Sequence, residues 1–186
     1  MKRLVLMVEG DGDREAAPVL VKRILTEQDA WAHLILDPRP FVIGGFPQLA
    51  RDDFSTWRRF LRAAAKRKNF GGCLTILDGD CKGKFDGQAF CAMSAARRLS
   101  VQARETGAGA IFSLAIAIAC QEYESWLIAG VESLAGRNLP DGRRGVPRGI
   151  TAPASDLEDA PRDAKGWLNQ RMATGYNPVR DQADLT

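Results

Sequence analysis

Three groups of carboxylates stand out, each directly after a run of apolar residues. Glu9, Asp11 and Asp13 follow Leu4-Val5-Leu6-Met7-Val8; Asp78 and Asp80 follow Cys73-Leu74-Thr75-Ile76-Leu77; Glu122 and Glu124 follow the apolar stretch from Ala110 to Cys120. Carboxylates gathered at short range repel one another, so either their protonation is favoured or a cation is drawn between them. A donor set made only of oxygen suits Mg²⁺ or Mn²⁺, which take a few carboxylates and keep several waters. Such a centre serves phosphoryl transfer, where the cation neutralises a phosphate and a nearby group handles a proton. The plainer role for an acid after a strand is to cap the next helix. Asp13, placed as an N-cap, and Glu122 suit that role as well as they suit a site. For Asp78-Gly79-Asp80 capping explains least.

The other reactive residues narrow the field. A single histidine, His33, excludes zinc hydrolysis of the His-Glu-x-x-His kind. Cys73, Cys81, Cys91 and Cys120 contain no Cys-x-x-Cys pair, so neither a zinc knuckle nor a disulfide framework is indicated. Cys81, beside the acids, is a single soft donor. The glycine- and lysine-rich stretch Gly79–Phe85 lacks Walker A spacing and has Phe85 where Ser or Thr would stand.

Positioning the acids requires strands that end side by side. The 186 residues are enough for one well-buried domain, and 45% hydrophobic with 26% charged residues is a globular mixture. Twenty-six Lys and Arg against 23 Asp and Glu leave a net charge of +3, which permits a nucleic-acid partner without demanding one. No apolar run reaches the ~18 residues of a membrane span, and no signal peptide precedes the first strand, so a cytoplasmic protein is expected. Three apolar strands alternate with helical patterns: Arg14 to Gln28, Asp53 to Lys68 ended by Gly71-Gly72, Gln88 to Arg104, and one beginning near Glu122. His33 to Ile43 reads as a strand broken by Pro38 and Pro40. In the second helix Phe54, Trp57, Leu61 and Ala64 share one face, and Arg59, Arg62 and Lys66 the other. Trp57, Trp126 and Trp167 read as core, and the basic stripe as an exposed face. Strands joined by helical crossovers predict an α/β fold, a mainly parallel sheet with helices on both faces. Residues 1–136 form this domain. Residues 137–186, with Pro140, Pro147, Pro153 and Pro161, form a loop-rich extension packed on it, with helices at Asp163–Met172 and from Asp181.

Val8-Glu9-Gly10-Asp11-Gly12-Asp13 resembles the Glu-Gly-x-x-Asp start of a Toprim domain, and Asp78-Gly79-Asp80 resembles its Asp-x-Asp motif. More narrowly, these segments are similar to a Toprim-like group, domain-of-unknown-function family 4276. So are Glu122-Tyr123-Glu124-Ser125-Trp126-Leu127-Ile128-Ala129, Ala164-Lys165-Gly166-Trp167-Leu168, Tyr176 and Asp181-Gln182. The resemblance implies a Toprim-like, Rossmann-like sheet and a Mg²⁺ or Mn²⁺ site, with relatives among topoisomerases, primases and OLD-family nucleases. Carried over, Glu9 is the general acid or base, with Asp13 beside it as a second catalytic candidate, and Asp78 and Asp80 hold the metal together with Glu9. Glu122, nearer the strand end than Glu124, completes a second metal position; were both helical, the two would diverge. Lys82, Lys84 and Lys165 are candidate substrate contacts. The expected activity is metal-dependent phosphodiester hydrolysis of DNA or RNA. A separate ATPase partner acting in phage defence, and a homodimer, are compatible with it. Family members generally continue past the end of this chain, so a further C-terminal helix is expected.

Two other readings use the same residues. A Toprim-like domain could bind metal, nucleic acid or a partner protein without turnover. A haloacid-dehalogenase-like phosphatase would make Asp78 a nucleophile and Asp80 an acid, but leaves Glu9 idle and has Lys82 where Thr or Val belongs. A receiver domain would phosphorylate Asp78 but lacks a lysine after the third strand, which ends in Cys120-Gln121-Glu122.

Overall fold

Strand β1 (Lys2–Val8) lies inside a parallel sheet, and the consecutive burial of Val5, Leu6, Met7 and Val8 is what a strand covered on both faces requires. The computed structural model describes residues 1–85, 87–154 and 163–186. From β1 the chain passes through α1 (Asp11–Glu27) to β2 (Leu34–Leu36) and β3 (Phe41–Val42), both parallel to β1. It then crosses through α2 (Phe46–Leu49) and α3 (Arg51–Ala65) to β4 (Phe70–Leu77), parallel to β1 on its other side. A hairpin of β5 (Lys84–Phe85) and β6 (Gln88–Ala89) precedes α4 (Ala92–Arg104) and β7 (Ser113–Ile118), which is parallel to β4. The main sheet has the order β2-β1-β4-β7, with β3 also on β1. Helices α5 (Glu124–Ala129), α6 (Val131–Leu134), α7 (Ala164–Arg171) and α8 (Pro178–Leu185) follow.

Alternation along β1 divides the core. Leu6 and Val8 pack with Val21 of α1, Leu127 of α5, Leu168 of α7 and Leu185 of α8. Val5 and Met7 pack with Trp57 and Leu61 of α3 and Leu99 of α4. The fold is therefore α/β, a mainly parallel sheet with helices on both faces, as the strand and helix pattern predicts. Because the chain leaves β1 toward β2 and later returns to its opposite side as β4, strand order reverses between β1 and β4. The crevice outside the carboxyl ends of such a pair is where open α/β sheets place ligands.

Several local expectations are corrected. Gly71-Gly72 does not end a helix but lies within β4; the helix stops near Lys66, and Asn69 turns the chain with φ of 60°. A Cβ at Gly72 would fall 2.7 Å from the Ser113 carbonyl, so the glycine serves the approach of β7. The helix placed at Gln88 begins at Ala92, because the β5–β6 hairpin takes the residues before it. Asp53 does not open a regular helix: Asp52, Asp53 and Phe54 turn through the left-handed region first. Asp13 is not an N-cap. Helix α1 starts at Asp11, and Asp13 in its first turn accepts the Gly10 N–H at 2.9 Å. The last helix begins at Pro178, capped by Asn177, which accepts the Arg180 N–H. Pro38 and Pro40 do separate β2 from β3. Trp57 is wholly buried and donates to the Leu99 carbonyl, whereas Arg59, Arg62 and Lys66 are exposed. Pro161 lies outside the described residues. No described helix is long and apolar enough to cross a membrane.

The first turn of α1 meets α8 closely. A Cβ at Gly12 would lie 2.3 Å from Gln182 Oε1 and 2.8 Å from Pro178 Cβ. Gly12→Ala should therefore lower stability by about 1–3 kcal/mol, as overpacking does, seen as a lower urea midpoint. Gly10→Ala, whose Cβ would meet only Asp13 Oδ2 at 3.6 Å, should change the midpoint little.

Candidate active site

Glu9 leaves the end of β1 and Asp78 the end of β4, the two strands that flank the crevice. They are joined directly: the Asp78 backbone N–H donates to Glu9 Oε2 at 3.0 Å. Asp78 Oδ1 accepts the Tyr123 N–H at 2.9 Å, which ties the end of β4 to the turn that opens α5. Gly79 makes that junction feasible. Its N–H donates to the Gln121 carbonyl at 2.7 Å, and a Cβ there would sit 2.5 Å from the Ala119 carbonyl.

A second group of acids lies on the far side of Asp78, and a lysine occupies its centre. Lys165 Nζ, in the first turn of α7, is 3.6 Å from Asp78 Oδ2, 3.3 Å from Glu122 Oε1 and 3.7 Å from Glu124 Oε2. Its backbone N–H also donates to Glu122 Oε2 at 3.2 Å. Glu124 is 1% exposed; its Oε1 accepts the Tyr176 hydroxyl at 2.9 Å, while Oε2 has no hydrogen bond and only the ammonium nearby. Asp13 is engaged twice, by the Gly10 N–H and by the Gln182 side-chain amide at 2.7 Å.

These surroundings move the protonation equilibria. Burial, reinforced by Asp13 and Glu9 and opposed by Lys165 and the Tyr123 N–H, pushes Asp78 up to about 7. Burial also raises Glu9; the Asp78 N–H partly offsets this, and Asp13 and Asp80 add to it. Glu124 is raised by burial despite Lys165 and Tyr176. Burial opposes the charge on Lys165, but Glu124, Asp78 and Glu122 outweigh it and hold the ammonium above its ordinary range.

Glu9, Asp78 and Asp80 line one cleft of about 280 Å³, together with Phe46, Cys81 and Lys82. A larger pocket of about 390 Å³ adjoins it, sharing Phe46 and adding Phe85, Phe90 and Arg97. Among the described residues no three His, Cys, Asp or Glu side chains converge as a metal cage. Mg²⁺ does not need one, since one or two carboxylates, waters and substrate phosphates suffice. The cleft acids fit such an ion by type: they are oxygen donors only, and burial with neighbouring acids disfavours the bare carboxylates of Glu9 and Asp78, a cost that a cation would relieve.

The structure thus brings Glu9, Asp78 and Asp80 to one cleft and leaves Lys82 exposed on its wall. Glu122 is not on that cleft; it pairs with Lys165. Nor do Glu122 and Glu124 diverge: Glu122 precedes α5, so both reach the same ammonium. Lys165 is embedded among acids rather than free on a helix face. Lys84 stands in β5, its side chain outside the described residues. Sequence reasoning missed the buried Glu124–Tyr176 bond and the Gln182–Asp13 bond, although Tyr176 and Gln182 lie in segments that mark the family resemblance.

Folded Asp78 keeps a proton up to about pH 7, against 3.8 for an ordinary aspartate. Between those values the folded state binds more protons than the unfolded, so stability must fall as pH rises through the window. In EDTA the loss should be on the order of 4 kcal/mol, the worth of such a shift at about 1.4 kcal/mol per pH unit. Urea titrations at steps from pH 4 to 7.5 measure it; Asp78→Asn should flatten the slope, leaving the same-signed contributions of Glu9 and Glu124.

Residues 8–186 match the family model described as a domain of unknown function, DUF4276, and the chain belongs to that family. No curated protein and no solved structure matches it.

Proposed function

We propose that this member of the DUF4276 family is a Toprim-type, divalent-cation-dependent phosphodiester hydrolase acting on DNA or RNA, with its reacting centre in the Glu9–Asp78–Asp80 cleft. The observation that carries this reading is the bond from the Asp78 N–H to Glu9 Oε2. It seats two carboxylates from neighbouring parallel strands at the point where strand order reverses. Mg²⁺ or Mn²⁺ would be held by Glu9, Asp78 and Asp80, and when bound would neutralise phosphate charge and favour a deprotonated water.

The chain's own residues then have distinct tasks. Glu9, raised by burial and by its acidic neighbours, is suited to accept a proton from an attacking water or return one to a leaving oxygen. Lys82, exposed on the cleft wall, is free to meet a phosphate oxygen. Lys165 balances Asp78, Glu122 and Glu124 from the other side, keeping Asp78 in place without entering the cleft. The adjoining pocket, with Phe85, Phe90 and Arg97, offers ring faces and a cation of the kind that bases and phosphates of an unpaired strand engage.

With Mn²⁺ or Mg²⁺, the purified protein should cleave plasmid, single-stranded DNA or RNA, and EDTA should abolish cleavage. Glu9→Gln and Asp78→Asn should each lower the rate about 100-fold or more, in line with loss of a proton-transfer group or a metal ligand, with unchanged circular dichroism. Undiminished cleavage by the Glu9→Gln/Asp78→Asn double variant would refute the assignment. Metal and strand binding without any turnover would instead favour a binding module.

A further inference from the structure

A sizeable cavity lies away from the acids, between the loop that follows α6 and the end of α7. It measures about 650 Å³, and among the described residues its wall carries Arg137, Arg144, Arg148 and Arg171 and no carboxylate. Among the described residues none of these four has an acid within ion-pair distance, although the chain's net charge is only +3. Neighbouring Arg143 shows the contrast. It turns the other way and pairs with Asp141 and with the buried Asp181, at 2.9 Å from the latter's Oδ1.

The walls are held by the fold. Asp181 is also gripped by Arg180 at 2.7 Å and by the Asn177 N–H at 2.9 Å, which fastens the Arg143 segment to α8. The Gly136 N–H donates to the Val146 carbonyl, and a bridge pairs Asn138 with Arg144. Arg171 lies 4.0 Å over the Trp167 ring and donates to the Trp167 carbonyl at 3.2 Å. Four guanidinium groups around one concavity repel one another unless an anion joins them, and their planar forks match phosphate oxygens.

We propose that this cavity binds a ligand carrying at least two phosphates, either the polyphosphate of a nucleotide or successive phosphodiesters of a nucleic-acid strand. The same helix links it to the acids: Lys165 is in the first turn of α7 and Arg171 in the last, about 9 Å apart along the axis at 1.5 Å per residue. A strand lying in the cavity would thereby be tethered beside the acidic edge. The inference does not require turnover at Glu9.

The test is binding in EDTA, where metal-dependent cleavage cannot contribute. Inorganic tripolyphosphate, followed by calorimetry, and a labelled single-stranded oligonucleotide, followed by anisotropy, separate the two sources. The wild-type protein should bind at least one of them. Arg137→Gln/Arg144→Gln/Arg148→Gln/Arg171→Gln should weaken that binding at least tenfold. For the oligonucleotide it should reduce the slope of log affinity against log salt by about 2–3, at about 0.7 per lost single-strand contact. Arg59→Gln/Arg62→Gln/Lys66→Gln, which removes three exposed charges from α3, should bind as wild type. The Arg144→Gln/Arg148→Gln double variant, with folding checked by thermal melting, replaces the quadruple one should that unfold, and should lose part of the same affinity. Failure of the wild type to bind either probe, or equal loss in the α3 variant, would overturn the proposal whatever the outcome for cleavage.

Discussion

Asp78 sits between two fields. On one side are Asp13 and Glu9, which add to burial in raising its proton affinity; on the other is Lys165, which lowers it. Burial makes both matter, because charges withdrawn from water interact far more strongly than exposed ones. Nearly every local feature near the crevice serves to hold this carboxylate in place. The Tyr123 N–H fixes one oxygen, Lys165 faces the other, and the Asp78 N–H is spent on Glu9. Gly79 lets the segments after β4 and β7 approach closely enough for the Tyr123 contact to form.

Balance of that charge depends on residues far along the chain. Lys165 answers Asp78, Glu122 and Glu124; Tyr176 answers Glu124; Gln182 answers Asp13. Each partner comes from α7, from α8 or from the turn between them, whose apolar residues Leu168, Met172, Tyr176 and Leu185 share the core of Leu6 and Val8. Packing and electrostatics therefore reinforce one another. The helices dock because their apolar faces are buried, and docking delivers the polar groups that make the buried acids tolerable. Gly12 is part of the same arrangement, since its missing side chain lets Pro178 and Gln182 approach α1.

The strand ends and their acids were legible in the sequence because a buried parallel strand must be continuously apolar, and its boundary with the first polar residue is sharp. The faces of α3 were legible for a similar reason: Phe54, Trp57, Leu61 and Ala64 recur at helical spacing and are all buried. The role of Lys165 was not, because nothing local separates a lysine on a half-exposed helix from one aimed at acids about 40 to 90 residues earlier in the chain. Glu124 was passed over for Glu122 on proximity to the strand, but the turn before α5 lets both reach inward. Gly71-Gly72 misled because a glycine pair ends helices as readily as it admits a neighbouring strand, and only the position of Ser113 decides between them.

The acids are thus unequally compensated. Those on the Lys165 side have a resident cation, whereas Glu9 and Asp80 face the cleft with Lys82 on its wall. A divalent ion entering the cleft would meet Glu9, Asp78 and Asp80. There Glu9 and Asp78 both hold protons more tightly than ordinary carboxylates, and a cation must displace protons in order to bind them. Affinity for such an ion would accordingly rise with pH through the range in which Asp78 titrates. Lys165 would stay charged throughout, because its partners on the other side do not depend on the cleft being filled. The same asymmetry explains why one lysine among six acids does not neutralise the edge. It is committed to Asp78, Glu122 and Glu124, while Glu9 and Asp80 line the cleft where the strand order reverses.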